Sequence, residues 1–151
     1  MENVSKYVLF QLDDERLGVN INQIHSIERV PGLTKMPEAP EFVKGIVELR
    51  GEITTIVDFK QMIQGVDTDL TQETRILICQ LDGLKIGLLV EAAKEVVDIP
   101  ADQLEEPPKM VGGLKKEYIN GVAKLNDRLI ILVDLDRIFS KEEVEEIHAV
   151  Q

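Results

Sequence analysis

Apolar and polar positions alternate along most of this chain, in runs too short to be helices. Residues 6–12 (KYVLFQL) and 17–21 (LGVNI) read as two strands, with the charged turn Asp13-Asp14-Glu15 between them. In the following NQIHSIERV, the spacing of Ile24, Ile27 and Val30 fits either a short helical turn or a bent strand. Residues 31–40 hold three prolines and a glycine, which makes them a loop. Residues 42–49 and 52–57 flank Arg50-Gly51 as a tight hairpin, with the glycine supplying positive φ at the second turn position. Strands are predicted at 74–81, 85–90 and 94–99, followed by a Pro/Gly-punctuated connection over 100–117 with one helical turn about Asp102. A last hairpin turns at Asn126-Asp127. Asp58 opens a short helix (DFKQMI), and so does Asp134 (DLDRIF). Ser140 and Glu143 form a capping box for a C-terminal helix whose thin apolar stripe is Val144 and Ile147. Roughly ten short strands, with no long helix for parallel crossovers, favour small barrels over an α/β sheet.

The pattern also repeats. FVKGIVELRGEITTIVDFKQMI from Phe42 aligns with YINGVAKLNDRLIILVDLDRIF from Tyr118 at a constant offset of 76. Gly45 meets Gly121, Leu49 meets Leu125, Val57 meets Val133 and Asp58 meets Asp134; most other pairs are apolar on apolar. Upstream of each copy, QLDDERLGV from Gln11 resembles QLDGLKIGL from Gln80 at an offset of 69. The chain therefore reads as two similar β-rich halves, each too small to be robust alone, with a third apolar core expected between them.

Composition narrows the function. Hydrophobic residues make up 44% of the 151, but aromatics only 4% and Trp none, so the core must be built from Ile, Val and Leu. A net charge of −11, with no basic run longer than Lys115-Lys116, argues against nucleic acid and against an anionic membrane surface. No apolar run approaches the roughly 20 residues of a membrane span. The opening MENVSKYVLF lacks the organisation of a signal peptide. Cys79, the only cysteine, sits in the apolar run RILICQL and is expected to be buried and inert. These features describe a soluble, acidic, cytoplasmic protein.

Catalytic constellations are missing from the pattern. Asp58 and Asp134 each follow an apolar strand and precede a helical turn, the place of an N-cap, and Asn at either is expected to cost at most about 1 kcal/mol. His25 has no second ligand at metal spacing, and His148, beside Glu145 and Glu146, is expected to be solvated. Gly112-Gly113 reads as loop geometry, and the acidic runs Glu105-Glu106 and Glu142–Glu146 as solvated faces. Arg50 is either an ordinary turn charge or an anchor in a protein interface, where arginine is enriched.

At FVKGIVELRGEITTIVDF the sequence resembles the CheW family, whose pattern there runs approximately F-[IV]-x-G-[VI]-x-N-L-R-G-x-[IV]-x-P-[VI]-[VIF]-[DN]-[LF]. LGVNINQIHSI, IGLLVEAAKEV and GVAKLNDRLIILVDLDRIF extend the resemblance over nearly the whole chain, in the family's order and spacing. The resemblance implies a mostly-β fold of two small SH3-like five-stranded barrels packed together, with short helices and a C-terminal helix. Residues 1–151 would form one CheW-like domain, with copies near 7–63 and 76–139 and scope for the chain to cross between barrels. It implies a non-catalytic adaptor with no cofactor or metal, cytoplasmic and recruited to membrane receptor arrays without inserting in the membrane. Its partners would be the cytoplasmic tips of methyl-accepting chemoreceptors and the histidine kinase CheA, through that kinase's CheW-like regulatory domain. The alternatives are an adaptor of another chemosensory pathway, such as type IV pilus twitching, or a metal-dependent hydrolase using Asp58, Asp134 and a histidine.

Carried over residue by residue, the family's receptor-facing groove between the barrels would include Arg50, with Gly45, Gly51 and Ile24 at matching positions nearby. A barrel surface with Gly87, Val96 and Gly121 would meet the kinase. Three positions depart from the family pattern. Glu48 replaces the usual Asn, changing the electrostatics beside Arg50. Thr55 replaces the usual Pro, which frees an N–H and is expected to loosen that strand. Glu91 replaces the commoner Asp.

Overall fold

The two hairpins marked by the sequence repeat fold in the same register. In the computed structural model, which describes residues 3–81, 83–107, 110–111 and 114–150, β4 (Val43–Leu49) pairs with β5 (Glu52–Asp58), and β11 (Ile119–Leu125) with β12 (Arg128–Val133). Val43 faces Val57 as Ile119 faces Val133, and both ladders slip at the same step, so that Gly45 faces Ile56 and Gly121 faces Leu132. Each ladder ends on an equivalent bond, Asp58 N–H to Phe42 O at 2.7 Å and Asp134 N–H to Tyr118 O at 3.0 Å.

The hairpins are exchanged between barrels. The remaining long strands are β1 (Val4–Leu12), β2 (Glu15–Asn20), β3 (Ile24–Arg29), β6 (Arg75–Leu81), β7 (Leu84–Val90) and β8 (Ala93–Pro100). One five-stranded sheet, here the first barrel, has the order β11-β12-β2-β1-β8; the other, the second barrel, has the order β3-β6-β7-β5-β4. The hairpin β1–β2 therefore lies among strands from late in the chain, and β6–β7 among strands from early in it. The joins are parallel and equivalent: Leu17 faces Ile131 in the first barrel, and Ile86 faces Thr55 in the second. Each sheet is closed by one bridge, Thr34 to Ile46 in the second barrel and Glu105 to Val122 in the first.

Most central strands are buried on both faces, which explains apolar runs such as RILICQL. Along β1, Tyr7 and Leu9 enter the first barrel's interior, while Val8, Phe10 and Leu12 face the other barrel. Along β6, Ile76 and Ile78 point into the second barrel, while Leu77, Cys79 and Leu81 join the same inter-barrel core. Among the described residues that shared cluster is the largest of three, and Phe10 meets Phe59 in it edge-on, ring centres 5.2 Å apart. Burial at about 25 cal/mol per Å² of apolar surface makes this seam a principal source of stability.

Helices close the seam. Asp58 caps α1 (Phe59–Gln64), which ends on Gly65 at φ 74°. Asp134 caps the single turn α2 (Leu135–Ile138). Ser140 Oγ accepts the Glu143 N–H at 3.1 Å and Glu143 Oε1 accepts the Ser140 N–H at 3.0 Å, the predicted capping box. The helix they start, α3 (Lys141–Val150), buries Ile147 and lays Val144 on the inter-barrel core.

Some sequence-based expectations need correction. Glu15 belongs to β2, and the first turn is Asp13-Asp14 alone, with Asp13 at φ 53°. The ambiguous segment resolves into a 3-10 turn at Ile21–Gln23, followed by strand β3. The connection after Pro100 carries a two-stranded ribbon, β9 (Met110–Val111) with β10 (Leu114–Lys115), whose strands are too short to show periodicity. Strand β5 is not loosened at Thr55, which is paired to Ile46 on one side and Ile86 on the other. Gly112-Gly113 and the side chain of His148 lie outside the described residues.

Candidate functional site

The β4–β5 turn carries its side chains away from the barrel. Arg50 and Gly51 both have positive φ, 52° and 80°, as a two-residue hairpin turn of right-handed strand twist requires. Its counterpart uses Asn126 and Asp127 at 51° and 62°. Arg50 is thus outside both cores, its side chain 76% exposed, and its guanidinium donates to Glu28 Oε1 on β3 at 3.0 Å.

Around this turn lies the mouth of the second barrel, a pocket of about 160 Å³. Arg50 and Leu49 line it from the hairpin, His25, Ser26 and Glu28 from β3, and Lys85 from the start of β7. Lys85 pairs with Glu52 at 3.0 Å, so the rim alternates in charge. Thr54 also lines the pocket; it is fully buried, and its Oγ1 has no hydrogen-bond partner among the described residues.

The remaining sequence-derived site residues are dispersed. Ile24 opens β3 next to His25, half-buried against the inter-barrel core. Gly45 lies at the far end of β4, five residues from Arg50, or roughly 16 Å at ~3.3 Å per residue. Its φ is 148°, and a Cβ there would come within 2.6 Å of Thr34 O in the closing bridge, so glycine is required for closure. Gly121, the equivalent in the first barrel, would bring a Cβ to 3.3 Å from Glu105 O. Gly87 is buried in the second barrel, whereas Val96 lies on β8 of the first and is 47% exposed. Of these three, Val96 alone offers a side chain to a partner.

The two aspartates differ in surroundings. Asp58 is fully buried and accepts from Gln61 N–H at 3.2 Å, Thr68 N–H at 2.8 Å and Thr68 Oγ1 at 2.6 Å, so it pins the loop after α1 as well as capping it. Asp134 caps only its own turn, through Asp136 N–H at 3.0 Å, with Arg137 nearby. Burial, and secondarily Asp136, pushes the Cys79 thiol up to about 12, so it stays protonated near neutral pH. On α1, Lys60 joins Asp13 at 2.8 Å and Glu91 at 3.5 Å; Glu91 also accepts the Asp13 N–H at 3.0 Å. Among the described residues, no helix is long and apolar enough to cross a membrane.

The arrangement is thus two five-stranded barrels sharing a core, with an arginine at one hairpin tip. The family model for the CheW-like domain matches residues 6–143, and the chain belongs to the CheW family of chemotaxis proteins. It is 30% identical to the chemotaxis protein CheW of Rhizobium meliloti, over 91% of this chain and 89% of that one. It is 29% identical to that of Klebsiella aerogenes, over 92% and 84%. The crystal structure of the scaffolding protein TtCheW from Thermoanaerobacter tengcongensis superposes with a TM-score of 0.82 at 33% identity, covering 93% of this chain and 91% of that one.

Sequence inspection missed Thr54, Lys85 and Glu28 as parts of the mouth. One signal was available for Thr54: at the offset of 76 it meets Ile130, as its neighbour Thr55 meets Ile131, two polar residues on apolar ones in a repeat whose flanking pairs are apolar on apolar.

Proposed function

We propose that this chain is a non-catalytic adaptor coupling the cytoplasmic tips of methyl-accepting chemoreceptors to the histidine kinase CheA, cytoplasmic and recruited to membrane receptor arrays. Membership of the CheW family and the likeness to a solved scaffolding protein support the adaptor role. The observation that carries the receptor assignment is Arg50, held by a positive-φ turn outside both cores at the mouth of the second barrel. A guanidinium there offers directed donors to a partner's carbonyls or carboxylates. Gly51 makes the turn, and Ile24 lies on the strand that forms the mouth's opposite wall. Gly45 supports the surface from a distance by closing the barrel. The kinase meets the first barrel at Val96, with Gly121 shaping that barrel and Gly87 the other. The buried carboxylate of Asp58, saturated by the chain's own donors, speaks against the hydrolase alternative.

The test is Arg50→Glu, which reverses a charge in a region already holding Glu48 and Glu52. Receptor-fragment affinity is expected to fall by at least about 30-fold, as for an interface hot spot. Kinase affinity and melting temperature should change little, because the side chain touches neither core. Unchanged receptor affinity, or loss of both partners together with the fold, would overturn the assignment.

A further inference from the structure

The two barrels supply an internal control for each other. Thr54 and Ile130 occupy the same step of equivalent hairpins, paired with Val47 and Ala123 respectively. Ile130 is fully buried and fills the first barrel together with Tyr7, Leu9, Ala123 and Leu132. Thr54 is equally buried but brings a hydroxyl with no hydrogen-bond partner among the described residues. A buried unpaired hydroxyl costs about 1–3 kcal/mol, and the first barrel shows that this position accepts an isoleucine.

The pocket beside that hydroxyl has a definite chemistry. Two of its lining residues are cations, Arg50 and Lys85, each paired with one carboxylate, Glu28 and Glu52 respectively, in a chain of net charge −11. Its volume of about 160 Å³ lies below the roughly 300–1,000 Å³ of small-molecule sites, so it suits the end of one side chain. A carboxylate only accepts hydrogen bonds, and the mouth offers donors at two depths: a guanidinium at the rim and a hydroxyl at the floor. An incoming lysine or arginine would face Arg50 and Lys85.

We propose that the mouth of the second barrel is the seat of one acidic side chain of the receptor, held by Arg50 at its rim and by the Thr54 hydroxyl at its floor. This rests on the assignment of Arg50 to the receptor surface. The Thr54 oxygen is covered in the unbound protein, so seating the carboxylate moves the rim. Arg50, exposed and paired with Glu28 through a single contact, is the side chain free to shift.

The experiment uses the intact protein and a receptor cytoplasmic fragment, with a panel of fragments in which each acidic tip residue is changed singly to its amide. Thr54→Val should melt above the parent, because the unpaired hydroxyl is gone. It should also bind the fragment about tenfold more weakly, the scale of one hydrogen bond to a charged group. Thr54→Ser should bind as the parent does, and the Thr54→Val penalty should vanish against one amidated fragment. If Arg50→Ala weakens binding while Thr54→Val does not, the pocket proposal fails and the receptor surface stands. If the Thr54→Val penalty persists against every amidated fragment, the occupant is not a carboxylate and the proposal is overturned. If Arg50→Ala binds normally, the receptor assignment and the proposal fall together.

Discussion

Gly18 and Gly87 hold the same place in the two barrels, each on the hairpin contributed by the other part of the chain and each facing the parallel strand that joins it to the host barrel, at Leu132 and Ile56 respectively. Their tolerances differ. A Cβ on Gly18 would meet the terminal Cδ2 of Leu132 at 2.8 Å, an atom that a rotamer change can move. A Cβ on Gly87 would meet Ile76 Cγ2 at 2.6 Å and Ile56 Cδ1 at 2.7 Å, and Cγ2 is fixed close to its own backbone.

Gly87→Ala is therefore expected to destabilise the protein by about 1–3 kcal/mol through overpacking, and Gly18→Ala by less. Thermal melts of both variants test the order. Any loss of kinase binding in Gly87→Ala should follow the fold, disappearing at temperatures where the variant is fully native. Binding lost without a change in melting would instead place Gly87 in the interface.

Asp58 and Asp134 were expected to behave alike, and the structure separates them. Asp58 faces three donors on its two oxygens. An asparagine there must turn its NH₂ toward either the Gln61 N–H or the Thr68 N–H, losing a buried bond. Asp58→Asn should cost about 1–3 kcal/mol. Asp134→Asn, a half-exposed cap, should stay within about 1 kcal/mol. Denaturant midpoints of the two variants, at unchanged slope, decide the matter; equal costs would mean that the Asp58–Thr68 contacts contribute nothing.

Periodicity and the repeat made the hairpins, the caps of α1, α2 and α3 and the two-barrel class legible, because each depends on residues close in sequence. The family resemblance left scope for the chain to cross between barrels, but which hairpins are exchanged was not legible in the pattern. The exchange depends on Leu17 facing Ile131 and Ile86 facing Thr55, pairings between apolar strands that any partner strand would satisfy. For the site, Arg50 at a turn could be read locally, but its neighbours Glu28 and Lys85 come from strands distant in sequence. The glycines were ambiguous for a physical reason. The sequence does not distinguish a glycine kept for a partner from one kept because Thr34 O lies 2.6 Å from the missing Cβ of Gly45.

Titration of the cluster on α1 has a definite sign. Hydrogen bonds from Lys60 and then Gln64 hold the Asp13 carboxyl below its ordinary 3.8, and Lys44 and then Gln61 do the same for Asp67. Each contribution to stability is thus complete above 3.8 and lost as pH falls through the depressed folded value. The Asp13 contact raises Lys60 above its ordinary 10.5, so the lysine's share is complete below 10.5 and lost as pH rises through that higher value. Lys60→Met should flatten part of the acid limb of a melting-temperature profile and lower the neutral plateau slightly, with more effect at low than at high salt. An acid limb identical to that of the parent would show that the Lys60–Asp13 pair is not formed in solution.

The hairpin exchange makes a further demand on folding. Residues before the loop at 65–74 supply two strands to the first barrel and three to the second, and residues after it supply the converse. Neither part contains a closed barrel, and the inter-barrel core needs both. Chain cleavage after Leu70, which is exposed and leaves Thr68 with Asp58, should give fragments 1–70 and 71–151 that are each unfolded alone. Mixed in equal amounts, they should recover the parent's circular dichroism and a single melting transition, at a temperature that rises with concentration because folding is now bimolecular. In the uncut chain, hydrogen exchange at the centres of β7 and β12 should report one common opening free energy, since losing either barrel removes strands from the other. A cooperative melt from either fragment alone, or well-separated exchange energies for the two strands, would show that the barrels are independent folding units despite the exchange.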